Sequence, residues 1–125
     1  MRHLSNDATA TFQRLLSLGE SKISNSEAFM PVYFEEIYET SFGKIYSLAH
    51  YYKQNGDTMA DPEMTFIILN DNNIYPMSYR QDGLGLMRES MFIENEKMNI
   101  NFKLQAEQTI FANMWLRNIK QQQNL

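Results

Sequence analysis

The chain has 125 residues, no cysteine and a net charge of −4. The missing thiols exclude a disulfide framework and a cysteine nucleophile, and the acidic balance disfavours nucleic-acid binding, which needs a basic surface. No apolar run reaches the roughly 18 residues of a membrane helix, so we expect a cytoplasmic protein with no membrane contact. The length predicts a single domain, residues 1–125, that buries a core without disulfides or metals.

A first helix is predicted at residues 6–18, where apolar side chains recur every three or four residues. Asn6 or Asp7 is expected to cap its start. Gly19 fits the left-handed position just past a helix end.

Five strands are predicted at residues 29–92, on alternation and sheet-forming composition. A helical turn at Glu35-Glu36 is the main alternative within the first strand. Asp82-Gly83 is a strong two-residue hairpin signal. The predicted strands are Phe29–Glu39, Lys44–Lys53, Glu63–Asn70, Ile74–Gln81 and Leu84–Phe92.

A second helix is predicted at about residues 101–121, with Asn101 as its cap. The preceding Met98 and Ile100 alternate with polar residues, a period that taken alone is typical of a strand. The tail Gln121–Leu125 is expected to be disordered. The expected fold class is α+β: a five-stranded antiparallel meander with both helices on one face, in two layers.

The longest predicted connection, Gln54–Pro62, carries the densest set of polar side chains. An imidazole and up to three carboxylates at the mouth of this loop would suit a divalent metal ion, although their spacing matches no established metal motif. The stronger interpretation is structural, because Asn-Gly and Asp-Pro are turn dipeptides. The metal candidates are His50, Asp57, Asp61 and Glu63. The wider set of candidate ligand or partner residues is His50, Tyr52, Asn55, Asp57, Asp61, Glu63 and Asp82. No catalytic residue and no cofactor are predicted.

Four segments also carry a resemblance: His50–Asp57, Asp61–Phe66, Tyr75–Tyr79 and Asp82–Gly85. Together they resemble an uncharacterised bacterial family of small proteins or domains carried by phages, plasmids and conjugative transposons. The match covers about residues 29–92. The resemblance implies an accessory protein of a mobile genetic element and brings no assigned activity or catalytic residue.

The favoured function is therefore that of a small non-enzymatic accessory protein that acts by protein–protein contact. Its partner would be another protein or a second copy, because two helices on one face leave apolar residues on the other face of the sheet. The alternative is a metal-dependent enzyme or a ligand site at the loop Gln54–Pro62. A nucleic-acid partner is disfavoured by the charge.

Overall fold

Two helices and eight strands make up the protein in the computed structural model, which describes residues 1–125. The first six strands form one antiparallel sheet in chain order, and the last two form a separate hairpin. The fold is thus α+β with an antiparallel sheet, as predicted. The elements are α1 (Asn6–Leu18), β1 (Lys22–Ile23), β2 (Val32–Glu39), β3 (Lys44–Gln54), β4 (Asp57–Ile68), β5 (Ile74–Gln81), β6 (Leu86–Glu89), β7 (Met91–Glu94), β8 (Lys97–Ile100) and α2 (Phe102–Gln122).

The first helix lies where its apolar stripe predicts. Its cap is Ser5, rather than Asn6 or Asp7, and the Ser5 hydroxyl accepts a hydrogen bond from the Ala8 N–H at 3.2 Å. Gly19 ends the helix in the left-handed conformation, with φ of 64°. The caps at both ends satisfy backbone groups that a helix leaves unpaired.

The second helix is capped by Asn101, as predicted, through a 3.1 Å bond from the Leu104 N–H. The expected disorder of the tail is wrong, because Gln123 is fully buried. Its side chain accepts from the Asn25 N–H at 2.7 Å and donates to the Met30 carbonyl at 3.1 Å. These bonds fasten the end of the chain to the segment that precedes β2.

The prediction of a long loop at Gln54–Pro62 is wrong, because a tight turn joins β3 to β4. Asn55 and Gly56 have φ of 52° and 84°, and β4 begins directly afterwards. Two positive φ angles fit the hairpin turn that matches the natural twist of paired strands, and Asn-Gly is its preferred sequence. Asp61–Pro62 lies inside β4, where the β3–β4 register shifts and the peptide bond is cis.

The sheet has six strands instead of the predicted five. The short β1 pairs with the start of β2 and adds a strand at one edge. At the other edge, Asp82–Leu84 form a 3₁₀ turn that ends at Gly85 with φ of 60°, in place of the predicted two-residue hairpin at Asp82-Gly83.

The predicted fifth strand, Leu84–Phe92, is divided in two by Ser90. The N–H of Ser90 donates to the Met77 carbonyl at 2.8 Å, and the Ser90 hydroxyl oxygen lies 3.1 Å from the same carbonyl oxygen. The chain then leaves the sheet and forms the β7–β8 hairpin, which turns at Asn95 and Glu96 with φ of 51° and 59°.

The hairpin changes the expected two-layer arrangement. Both helices pack on one face of the six-stranded sheet, here called the helix face, and the β7–β8 hairpin covers part of the opposite face, here called the hairpin face. The helix face holds the larger core, which includes Phe12, Phe34, Tyr46, Phe66 and Leu116. The hairpin face holds a smaller core of Ile45, Ile67, Tyr75, Met77 and Met91.

Candidate binding groove

The metal candidates from the sequence are not brought together. His50 is buried on the helix face, where its Nδ1 lies 3.0 Å from the Pro31 carbonyl oxygen and its ring packs edge-on against Trp115 at 5.6 Å. Asp57 is exposed beside the β3–β4 turn. Glu63 lies on the hairpin face. No group of three or more His, Cys, Asp or Glu side chains is placed to hold a metal ion.

Asp61 and Asp82 instead hold neighbouring parts of the sheet together. Asp61 accepts from the Gln81 amide at 3.2 Å. Asp82 accepts from the Ala60 N–H at 2.8 Å and from Arg80 Nε at 2.7 Å. The Arg80 hydrogen bond, and after it the Ala60 bond, lowers the pKa of the Asp82 carboxyl below its ordinary value.

Tyr52 and Asn55 complete the predicted set. Asn55 belongs to the β3–β4 turn, and the Tyr52 hydroxyl lies so close to Gly83 that a Cβ there would come within 2.9 Å of it. The seven predicted residues are therefore distributed over both faces and the hairpin tip. They do not line one common cavity.

A groove lined mainly by apolar side chains lies on the hairpin face, with a volume of about 420 Å³. We call it the open-face groove. It runs beside the β7–β8 hairpin, and its volume falls within the usual range of ligand-binding clefts. Its floor is Ile45, Thr65, Met77 and Ser78. Its walls are residues 37–40 at the end of β2, Met87 and Glu89 of β6, and residues 91–93 of β7.

The groove exists because small side chains lie in the middle of the sheet. Paired positions on successive strands form a row in which three short residues stand between two glutamates: Glu35, Ser47, Thr65, Ser78 and Glu89. The Thr65 and Ser78 hydroxyls are bonded to each other at 2.5 Å. Side chains this short cannot fill the space between the hairpin and the rest of the face, so a depression remains.

Large apolar side chains on the walls of the groove are open to solvent. Tyr38 is 66% exposed, Met87 54% and Phe92 43%. They belong to β2, β6 and β7, so they flank the floor from three elements. An apolar concavity with exposed aromatic and Met side chains is the kind of surface that binds a partner.

The charge of the groove is one-sided. Glu39 and Glu89 line it, whereas no Lys, Arg or His does. The two ion pairs of the protein are Lys44–Glu36 at 3.6 Å and Arg80–Asp82 at 2.7 Å, so neither lining carboxylate is neutralised by a cation.

A polar cluster adjoins the groove on the same face. The Tyr51 hydroxyl donates to Glu63 Oε2 at 2.9 Å, and the Tyr51 ring packs on Tyr33 at 5.2 Å. Burial, followed by this hydrogen bond and the Glu63 charge, raises the pKa of Tyr51 to about 12. Tyr51 is therefore a hydrogen-bond donor at neutral pH rather than a base.

Comparison with known protein families shows that the chain belongs to a family described as a domain of unknown function (DUF6908). The family model matches residues 3–125, in agreement with the expected resemblance to an uncharacterised domain family. Among curated proteins and among solved structures, no match to the chain was found. Neither helix has the length and apolar character needed to cross a membrane.

The family description assigns no activity, so the function has to be argued from geometry. Sequence reasoning did not single out Tyr38, Met87 or Phe92. Its one useful signal was the expectation that two helices would leave apolar residues on the opposite sheet face. That expectation identifies the correct side of the sheet but no particular residue.

Proposed function

We propose that this chain is a non-enzymatic interaction domain that holds part of a partner protein in the open-face groove. The observation that carries the proposal is the combination of a 420 Å³ groove with three exposed large apolar side chains on its walls. Burying such side chains against a partner removes apolar surface from water, at about 25 cal/mol per Å². The groove contains no imidazole, and its Thr65 and Ser78 hydroxyls are already bonded to each other.

A second apolar surface provides the competing location. Phe102, Ile110 and Met114 lie on the outer side of α2 and are 61%, 59% and 49% exposed. Their spacing of eight and four residues puts them in one stripe along the helix. A helix surface is convex, whereas stable recognition concentrates binding energy in desolvated concave pockets. We therefore favour the groove.

The two surfaces can be compared with matched variants. The groove variant carries Tyr38→Ser, Met87→Ser and Phe92→Ser, and the control carries Phe102→Ser, Ile110→Ser and Met114→Ser. A partner recovered from native cells with the wild-type protein is then purified, and its binary affinity for each variant is measured. We expect the groove variant to bind at least about tenfold more weakly and the control to bind like wild type, because truncated anchor residues usually dominate binding energy.

Circular dichroism and thermal unfolding show whether both variants remain folded. Loss of binding in the control and retention in the groove variant would move the function to α2. A purified partner bound equally by both variants would also contradict the proposal. Light scattering of the wild-type protein identifies the case in which the partner is a second copy.

We propose in addition that the domain is an accessory protein of a bacterial mobile genetic element and works in the cytoplasm. The support is the resemblance in the segments His50–Asp57 and Asp61–Phe66, together with the lack of Cys, which fits a reducing compartment. We expect recombination or conjugation genes beside the coding sequence and recovery of the protein in the cytoplasmic fraction. A chromosomal housekeeping location in several unrelated genomes would contradict the first expectation.

A further inference from the structure

The row of paired side chains that runs through the open-face groove limits the length of a segment bound along it. The row from Glu35 to Glu89 crosses five strands. At about 4.8 Å between neighbouring strands, its ends are about 19 Å apart. An extended chain rises about 3.3 Å per residue, so about six residues span the row.

The volume of the groove limits how much of such a segment it can hold. In an extended segment, alternate side chains point to the same side. About three of the six side chains can therefore enter the groove of about 420 Å³, while the backbone and the other side chains stay outside it.

The charge around the groove restricts the composition of the segment. Glu35 and Glu89 stand at the two ends of the row, both are exposed, and neither takes part in an ion pair. Two cations stand on the neighbouring row. Arg80 is held by Asp82 through two hydrogen bonds of 2.7 and 3.3 Å, and Lys22 Nζ lies 5.8 Å from the centre of the Tyr33 ring. Glu89 lines the groove, and Glu35 lies beyond its lining at the other end of the row. Free carboxylates at both ends of the row attract a segment that carries Lys or Arg near both of its ends.

The distribution of charge along the chain strengthens this field. Residues 28–101, which include every strand from β2 to β8, contain 11 acidic and five basic residues and carry −6, while the rest of the chain carries +2. The strand region therefore attracts basic partners over several ångströms, an effect that salt screens.

We infer that the natural occupant of the open-face groove is an extended, basic segment of about six residues in a partner protein. Its apolar side chains lie between Tyr38, Met87 and Phe92, and its flanking Lys or Arg side chains pair with Glu35 and Glu89. This inference rests on the proposed function and specifies the class of partner.

A random library of peptides about seven residues long tests the inference without choosing the sequence in advance. The library is panned on the wild-type protein, with counter-selection on the groove variant Tyr38→Ser, Met87→Ser and Phe92→Ser. We expect the enriched peptides to carry Lys or Arg near both ends and apolar residues between them. The best peptide should bind a Glu35→Lys, Glu89→Lys variant at least about tenfold more weakly, and its affinity for wild type should fall as salt rises.

The matched control is Glu107→Lys, which reverses the charge at an exposed position on the helix side of the molecule. It should bind the peptide within about twofold of wild type, because charges separated by more than about 10 Å are largely screened at ordinary salt. Equal losses in the control and in the Glu35, Glu89 variant would overturn the assignment of the charges.

The remaining outcomes separate this inference from the proposed function. Enriched peptides without basic residues would overturn the inference, although loss of their binding in the groove variant would leave the groove as the interaction site. A library that yields no binder would also overturn it, while the purified-partner experiment still decides the proposed function. Self-association abolished by the groove variant would show that a second copy occupies the groove instead.

Discussion

The two faces of the six-stranded sheet are built from the same strands and have different characters. On the helix face, Phe12 of α1 is fully buried and its ring packs on Phe34, Tyr46 and Phe66 at 5.1, 5.8 and 5.2 Å. On the hairpin face, β7 and β8 cover only part of the sheet and leave the open-face groove beside them. One face is closed by tightly packed aromatic rings, and the other remains accessible.

The alternation of side chains along a strand produces this difference. In β3, Tyr46 and Leu48 point to the helix face, whereas Ile45 and Ser47 point to the hairpin face. Bulky residues on one side and short hydroxyl residues on the other allow a single strand to supply both core and groove. We therefore expect the larger core on the helix face to contribute more to stability than the exposed groove walls on the hairpin face.

A pair of phenylalanine truncations gives the largest expected contrast between the faces. Phe12→Ala should lower the free energy of unfolding by about 3–5 kcal/mol, because it removes a ring from the centre of the helix-face core and leaves a cavity. Phe92→Ala should cost less than about 1 kcal/mol, because Phe92 is 43% exposed on the groove wall. Urea unfolding of both variants measures the difference. Equal losses would show that the two faces contribute alike to stability.

A smaller effect is expected where the chain passes from the sheet to the hairpin. The buried Ser90 hydroxyl contacts Gln108 Oε1 at 2.5 Å, and Gln108 donates to the Arg88 carbonyl at 3.1 Å. Ser90→Ala should destabilise the protein by about 1–3 kcal/mol, because it leaves a buried amide oxygen without a donor. Urea unfolding measures the loss, with the exposed Ser41→Ala as control. A Ser90→Ala protein as stable as this control would show that the hairpin does not depend on the bond.

The two faces also differ in how far the sequence predicts them. The helices on the helix face follow from local signals: an apolar stripe at residues 6–18, Gly19 at its end and the Asn101 cap. Each of these signals acts within a few residues, so its outcome does not depend on distant partners. The strand Ile74–Gln81 is likewise found at its predicted bounds.

The hairpin face depends on contacts between distant residues. Local composition favours one strand at Leu84–Phe92, and the break at Ser90 depends on Met77 and Gln108, which are 13 and 18 residues away. The turn at Asn95 and Glu96 requires positive φ at a glutamate, which propensity does not anticipate. Neither the strand break nor the turn could therefore be predicted from the local sequence.

The candidate site was misplaced for a related reason. The segment Gln54–Pro62 was predicted to be the site because it is rich in polar groups. Asn55-Gly56 instead forms the turn between β3 and β4, and the following residues belong to β4. The groove instead collects side chains from six separate strands, and exposed Tyr38 or Phe92 looks like any other strand residue in the sequence. Because the groove residues come together only when the strands pair, no short stretch of the sequence carries a motif for the groove.

The smallest expected effect concerns the ionisation of Tyr51 beside the groove. Its pKa is raised to about 12, chiefly by burial and then by the bond to Glu63 and the charge of that carboxylate. A group whose pKa is higher in the folded state contributes stability that is complete below its unfolded value of about 10 and is lost as the pH rises through 12.

Glu63→Gln keeps an acceptor for the Tyr51 hydroxyl but removes the charge. The pKa of Tyr51 should therefore fall toward 10 without reaching it, because burial remains. Phenolate absorbance followed against pH, with Tyr51→Phe to assign its signal among the seven tyrosines, measures this change. A Tyr51 that titrates at the same pH with and without the Glu63 charge would show that burial, and not the neighbouring carboxylate, sets its ionisation.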